Sequence, residues 1–212
     1  MTRTARGALA LPVALYVLTG LSVALGALRV AEVPLGVPNV DSPHLEATPL
    51  AMWIHALSGT LFGLIGPWQF SRVMRRRFGR AHRVAGRIYA VAGLGMAASG
   101  LSLLLSHPDS AEALVDAGRA VFSVGLVAAL ALAVQAIRLG DRERHRDWMI
   151  RAYAYGMGTA PVGIIFVPIF VATGEPPTGP GADLIFIGSW VACALLAEAL
   201  IHRLHRPMGV PA

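Results

Sequence analysis

Two short stretches carry residues able to do chemistry in the same order. In "HRVAGRIY", residues 82–89, His82 and Arg83 precede Arg87 and Tyr89; in "HRDWMIRAY", residues 145–153, His145 and Arg146 precede Arg151 and Tyr153. If the helices that follow are neighbours, neutral imidazoles of His82 and His145 could ligate one b-type haem, with Arg83, Arg87, Arg146 or Arg151 on its propionates. The plainer reading gives these arginines to lipid phosphates, the tyrosines to headgroup depth and the histidines to headgroup contact or helix capping. Membrane dihaem cytochromes of the familiar kind pair histidines along one helix. His82 and His107 do not fit that spacing, and His107 precedes Pro108 in a loop.

His55 is a third candidate ligand. It stands inside an apolar run, where an imidazole costs free energy unless it finds a partner. Gly59, Gly63 and Gly66 follow at three- and four-residue spacing, so one helix face reads His, Gly, Gly, Gly. Such a face suits close helix packing, with Gly93 and Ala97 as a counterpart, or a flat macrocycle against the groove with His55 as axial ligand. Glu198 is the acidic residue well within a span. It reads as an ion pair with Arg151 or Arg87 that fixes helix register, or as a proton or substrate site.

These residues must be positioned by lipid-embedded helices. The chain has 212 residues, 55% hydrophobic and 14% charged, with a mean hydropathy of +0.61, too apolar for one soluble domain. Apolar segments near 8–31, 50–71, 84–106, 113–138, 148–172 and 183–204 approach the roughly 20 residues that cross a hydrocarbon core of about 30 Å. The fold class expected is all-α: one integral membrane bundle of six transmembrane helices, residues 1–212. The first segment, behind Arg3 and Arg6, reads as a retained span because its apolar run exceeds a signal-peptide core. Pro161 and Pro168, among Gly156, Gly158 and Gly163, should interrupt the fifth span, and Pro67 should end or bend the second.

The charges then orient the bundle. All basic residues are arginine, which fits a GC-rich genome as readily as a binding role. Sixteen of the 18 fall in the N-terminus, the 72–87 and 138–151 loops and the C-terminus, leaving Arg29 and Arg119 for the other side. Most acidic residues, including Glu32, Asp41, Glu46, Asp109, Glu112, Asp116, Glu175 and Asp183, fall opposite. Both termini are therefore expected in the cytoplasm of a bacterial inner membrane, with the arginines on anionic headgroups. Asp141, Glu143 and Asp147 alternate with arginines and read as local charge partners.

Several functions are set aside. The arginines lie in short loops between apolar runs, not on a soluble face, so nucleic acid is not an expected partner. One cysteine, Cys193, permits neither an intrachain disulfide nor a thiolate metal cage. Phosphate-binding glycine loops, the His-Glu-x-x-His pattern and a Gly-x-Ser-x-Gly elbow are missing, and no catalytic residue is assigned.

Together the motifs resemble the bacterial predicted membrane proteins of domain of unknown function 2306. The resemblance rests on His55, "GPWQF" at 66–70, "HRVAGRIY" and "HRDWMIRAY", over about residues 50–155. It implies a multi-pass membrane protein and carries no activity. An arginine expected further along the fifth span is missing from "GTAPVGIIFVPIF", residues 158–170. The repeated motif also suggests that spans two and three echo spans four and five. Three functions remain open: an accessory or structural protein, in a membrane complex or homo-oligomer, with a basic cytoplasmic rim; a redox protein carrying haem b; and a small proton-coupled transporter using Glu198 and the broken fifth span.

Overall fold

The computed structural model describes residues 3–37, 48–106 and 113–205, with side chains from residue 10 onward. Every regular element among them is helical: α1 (Arg3–Glu32), α2 (Pro49–Gln69), α3 (Arg72–Arg77), α4 (Gly79–Ser106), α5 (Ala113–Arg138), α6 (Arg142–Gly156), α7 (Ala160–Thr173) and α8 (Gly179–His205). A single 3-10 turn, Val33–Leu35, follows α1. Six stretches are long and apolar enough to cross a membrane, α6 and α7 together making the fifth. Asp41, Glu46, His107, Asp109, Glu112 and Arg206 lie outside the described residues.

The boundaries differ from the sequence reading where polar residues continue a helix. The basic loop at 72–77 is itself a short helix, started by Ser71, whose hydroxyl accepts the Met74 amide at 3.3 Å. Helix α4 begins at Gly79, so His82 and Arg83 ride on its first turn and do not precede it. Helix α6 begins likewise at Arg142, capped by the Asp141 carboxylate on the Arg144 amide. The expected interruption of span five is displaced. The helix stops at Gly156 and restarts at Ala160, with Pro161 in the first turn of α7, where a missing N–H costs nothing, and Pro168 inside that helix. Pro67 lies inside α2, which runs on to Gln69.

A break in lipid frees backbone carbonyls, each of which needs a new donor. Helix α8 supplies two of them. Ser189 Oγ donates to the Gly158 carbonyl at 2.6 Å and Trp190 Nε1 to the Tyr155 carbonyl at 3.3 Å, while Ser22 Oγ of α1 adds a bond to the Ala160 carbonyl at the start of α7 at 3.3 Å.

The core is built on an antiparallel seam between α2 and α4. Gly59 faces Met96, Phe62 faces Gly93, Gly66 faces Tyr89 and Gln69 faces Gly86, so glycine on one helix meets a larger side chain on the other. Phe62 and Tyr89 are fully buried and stacked, with centroids 4.1 Å apart. Helices α5 and α6 form a second antiparallel pair, in which His145 meets Ala133 and Tyr155 meets Gly125. Because α1 opposes α2 through Val23–Gly63 and Trp53–Val30, its first residues reach the same end of the bundle as α3. Helix α8 finishes there too, His205 meeting Asp147.

The seam makes a clear demand on volume. A Cβ at Gly93 would stand 2.7 Å from Leu130 Cδ1 and 2.8 Å from Phe62 Cε2, both in fully packed side chains. Gly93→Ala should therefore destabilise the bundle by about 1–3 kcal/mol, read as a lower melting temperature in detergent. Gly188→Ala, inside α8 with nothing within 4 Å, should not lower it.

Candidate functional site

The two repeated motifs meet inside the bundle. Tyr89 of the first and Tyr153 of the second both stack on Phe62, at 4.1 and 5.9 Å between centroids. His82 and His145 lie within electrostatic range of one another at the α3 end. Starting each helix a turn earlier than its apolar run places the histidine about two turns ahead of the buried tyrosine, and the side chains lean further toward that end.

The histidines differ in how they are held. His145 Nδ1 bonds the Ala133 carbonyl at 2.9 Å. A carbonyl can only accept, so the proton of a neutral ring belongs on Nδ1 and the lone pair on Nε2. His55 is anchored in the same manner on α4, its Nδ1 lying 3.1 Å from the Met96 carbonyl and 3.3 Å from Ser99 Oγ. The glycine face beyond His55 is filled by protein: Met96 over Gly59, Val23 and Met157 over Gly63, Tyr153 and Tyr89 over Gly66. The expected pairing of that face with Gly93 and Ala97 takes another form, since Gly93 admits Phe62 and Leu130.

His82 is not anchored. Its Nδ1 is buried without a hydrogen-bond partner among the described residues, as are Gln69 Nε2 and the Tyr89 hydroxyl. Gln69 and His82 belong to one locality, with Tyr89 two turns deeper on α4. Gln69 closes α2 with its amide oxygen 3.3 Å from the Cβ position of Gly86. His82, Gly86 and Tyr89 follow one another on the same face of α4. In the sequence Gln69 carries no functional signal, a glutamine at a helix end being ordinary, and Tyr89 reads as a residue at headgroup depth, which its full burial against Phe62 corrects. Only the register of α2 against α4 makes them unusual.

Arginines frame this cluster. Arg75 Nη1 donates to the Gln69 carbonyl at 3.2 Å. Burial and the nearby guanidiniums of Arg72, Arg146 and Arg76 push the Arg75 guanidinium down from its ordinary range. Arg146 is turned toward Asp147, whose other oxygen accepts from His205 at 2.6 Å, so the C-terminal turn of α8 is tied to α6. Arg83 and Arg87 are exposed on α4.

Glu198 and Arg151 form a bidentate pair, Nε–Oε1 2.6 Å and Nη2–Oε2 2.8 Å, bridging α6 and α8. Of the two arginines at comparable depth, Arg151 makes the tie. The guanidinium also lies 4.6 Å from the Trp148 ring centroid, an arrangement that spreads its charge where water is scarce. Among the described residues no three His, Cys, Asp or Glu side chains gather to hold a metal ion.

A family model described as "Predicted membrane protein (DUF2306)" matches residues 52–201. No curated protein and no solved structure matches the chain.

Breaking the Arg151–Glu198 pair from one side should cost more than removing both members, because a lone guanidinium within a span keeps its desolvation cost. Glu198→Ala is expected to lower stability by about 2 kcal/mol, and Arg151→Met in that background to restore part of the loss. Thermal unfolding of the two variants in detergent checks this.

Proposed function

The chain belongs to the DUF2306 family of predicted membrane proteins, and on that premise we propose that it is an accessory protein of a bacterial inner membrane whose basic cytoplasmic end binds anionic lipid headgroups. The observation that carries this reading is how differently arginine is treated at the two ends of the bundle. At the far end Arg29 pairs with Glu32 at 2.9 Å and Arg119 with Asp116 at 2.6 Å, each neutralised within its own helix. At the α3 end Arg72, Arg75, Arg76, Arg77, Arg80, Arg83 and Arg87 stand on α3 and the start of α4, a stretch that contains no acidic residue. Juxtamembrane arginines gain about 1 kcal/mol each from an anionic leaflet. Excess positive charge also favours retention on the cytoplasmic side, which would put both chain ends there.

The protein reconstituted in phosphatidylcholine nanodiscs should melt several degrees higher when phosphatidylglycerol is included, and the increment should shrink as salt is raised past the Debye screening range. Equal melting in both lipids at low salt would contradict the reading.

One observation favours a second reading, haem b between His82 and His145. The anchored Nδ1 of His145 leaves Nε2 with the lone pair an axial ligand needs, and His82 stands within electrostatic range of it. The purified protein would then show a Soret band that His145→Ala abolishes. Colourless, iron-free protein would refute haem binding.

A further inference from the structure

Two buried hydrogen-bonding atoms without partners among the described residues occur where the α2–α4 seam reaches the α3 end: Gln69 Nε2 and His82 Nδ1. Gln69 is 5% exposed, so bulk solvent does not satisfy it. Leaving such atoms bare carries a desolvation cost, and two beside Arg75 indicate that a further group completes the set. Both can donate. The charged groups bearing on this spot are basic: Arg72, Arg76 and Arg146 act on Arg75, and Arg75, His145 and Arg83 act on His82. The nearest carboxylate on α6, Asp147, is engaged by Arg146 and His205. What fits is a compact anion rich in acceptor oxygens, presented at the membrane edge.

We propose that Gln69, His82 and Arg75 hold one phosphate group at the end of the α2–α4 seam, supplied by an anionic phospholipid headgroup. Gln69 and His82 contribute donors that recognise oxygen. Arg75 contributes charge, its Nη1 already orienting it on the Gln69 carbonyl. Glycine at position 86 lets the Gln69 amide lie flat on α4, since a Cβ there would press on its oxygen at 3.3 Å. The site refines the lipid-binding reading of the basic end and rests on it. It differs from diffuse attraction in one measurable respect: a buried, hydrogen-bonded phosphate is screened far less by salt than one held at an exposed rim.

Native mass spectrometry of the detergent-purified protein, titrated with phosphatidylglycerol at low and high salt, separates the two. The wild type is expected to retain one phosphatidylglycerol at high salt. Gln69→Leu and Arg75→Gln should each weaken that adduct on the order of tenfold, as expected for loss of a hydrogen bond to a charged group. His82→Ala should weaken it as well. Arg144→Ala, on the exposed first turn of α6, should diminish only the adducts lost at high salt. If all adducts vanish with salt, or if Gln69→Leu and Arg75→Gln bind as the wild type does, the site is overturned while the rim reading stands. If phosphatidylglycerol has no effect at any salt, both fail. Inorganic phosphate at millimolar concentration supplies the last arm. Should it raise the melting temperature of the wild type but not of Gln69→Leu, with no lipid retained, the phosphate chemistry holds and the lipid source is overturned.

Discussion

A guanidinium cannot rest in hydrocarbon without a partner, and the arrangement of this chain follows from that cost. Arginines near the ends of α3, α4, α5 and α6 can reach water and headgroups. Of the two drawn further in, Arg151 is met by both oxygens of Glu198 and by the face of Trp148, while Arg87 is exposed on the surface of α4. Arg29 and Arg119, at the opposite end, are each answered by a carboxylate one turn away. Arg29, Arg119 and Arg151 are thus answered by carboxylates, as Arg146 is by Asp147, while the arginines of α3 and the start of α4 stand in a stretch without acidic residues.

The same accounting governs the backbone. The interruption between α6 and α7 is tolerable because Ser189 and Trp190 reach its freed carbonyls from α8, and Ser22 of α1 bonds the first carbonyl of α7. A consequence is that α1 and α8 are fastened to the middle of the fifth span by hydrogen bonds as well as by packing. The break also brings Met157 against Gly63 and Gly156 against Phe62, so the kink joins the second helix pair to the first.

Much of the architecture was legible in the sequence, since hydropathy and the placement of arginine are local properties. The six apolar stretches, the second span to within two residues of its structural end and a Glu198 tie with either Arg151 or Arg87 can all be read along the chain; the packing of α6 against α8 decides for Arg151. Helix starts were misjudged where arginine-rich turns continue the helix outside the apolar run, as at His82 and at Arg142. The break in span five was anticipated at its prolines but falls ahead of Pro161, because a proline in a first turn starts a helix as readily as it ends one. The polar cluster at Gln69, Arg75 and His82 was not legible at all. It depends on which residue of α2 meets which residue of α4, and that register is set by glycines meeting rings across the seam, a property of two segments together.

The repeated motif then has a physical sense. Each copy sets a histidine near a helix start at the basic end and sends a tyrosine two turns deeper, and the two tyrosines close on the same phenylalanine. Orientation in the bilayer is the premise shared by every role proposed for these residues. It is tested most directly by cysteine accessibility in intact bacterial cells, with the native thiol removed by Cys193→Ser and single cysteines placed at two well-exposed sites, Leu35→Cys beyond α1 and Leu139→Cys between α5 and α6. A membrane-impermeant maleimide should label position 35 in intact cells and position 139 only after permeabilisation; labelling of position 139 from outside would contradict the account.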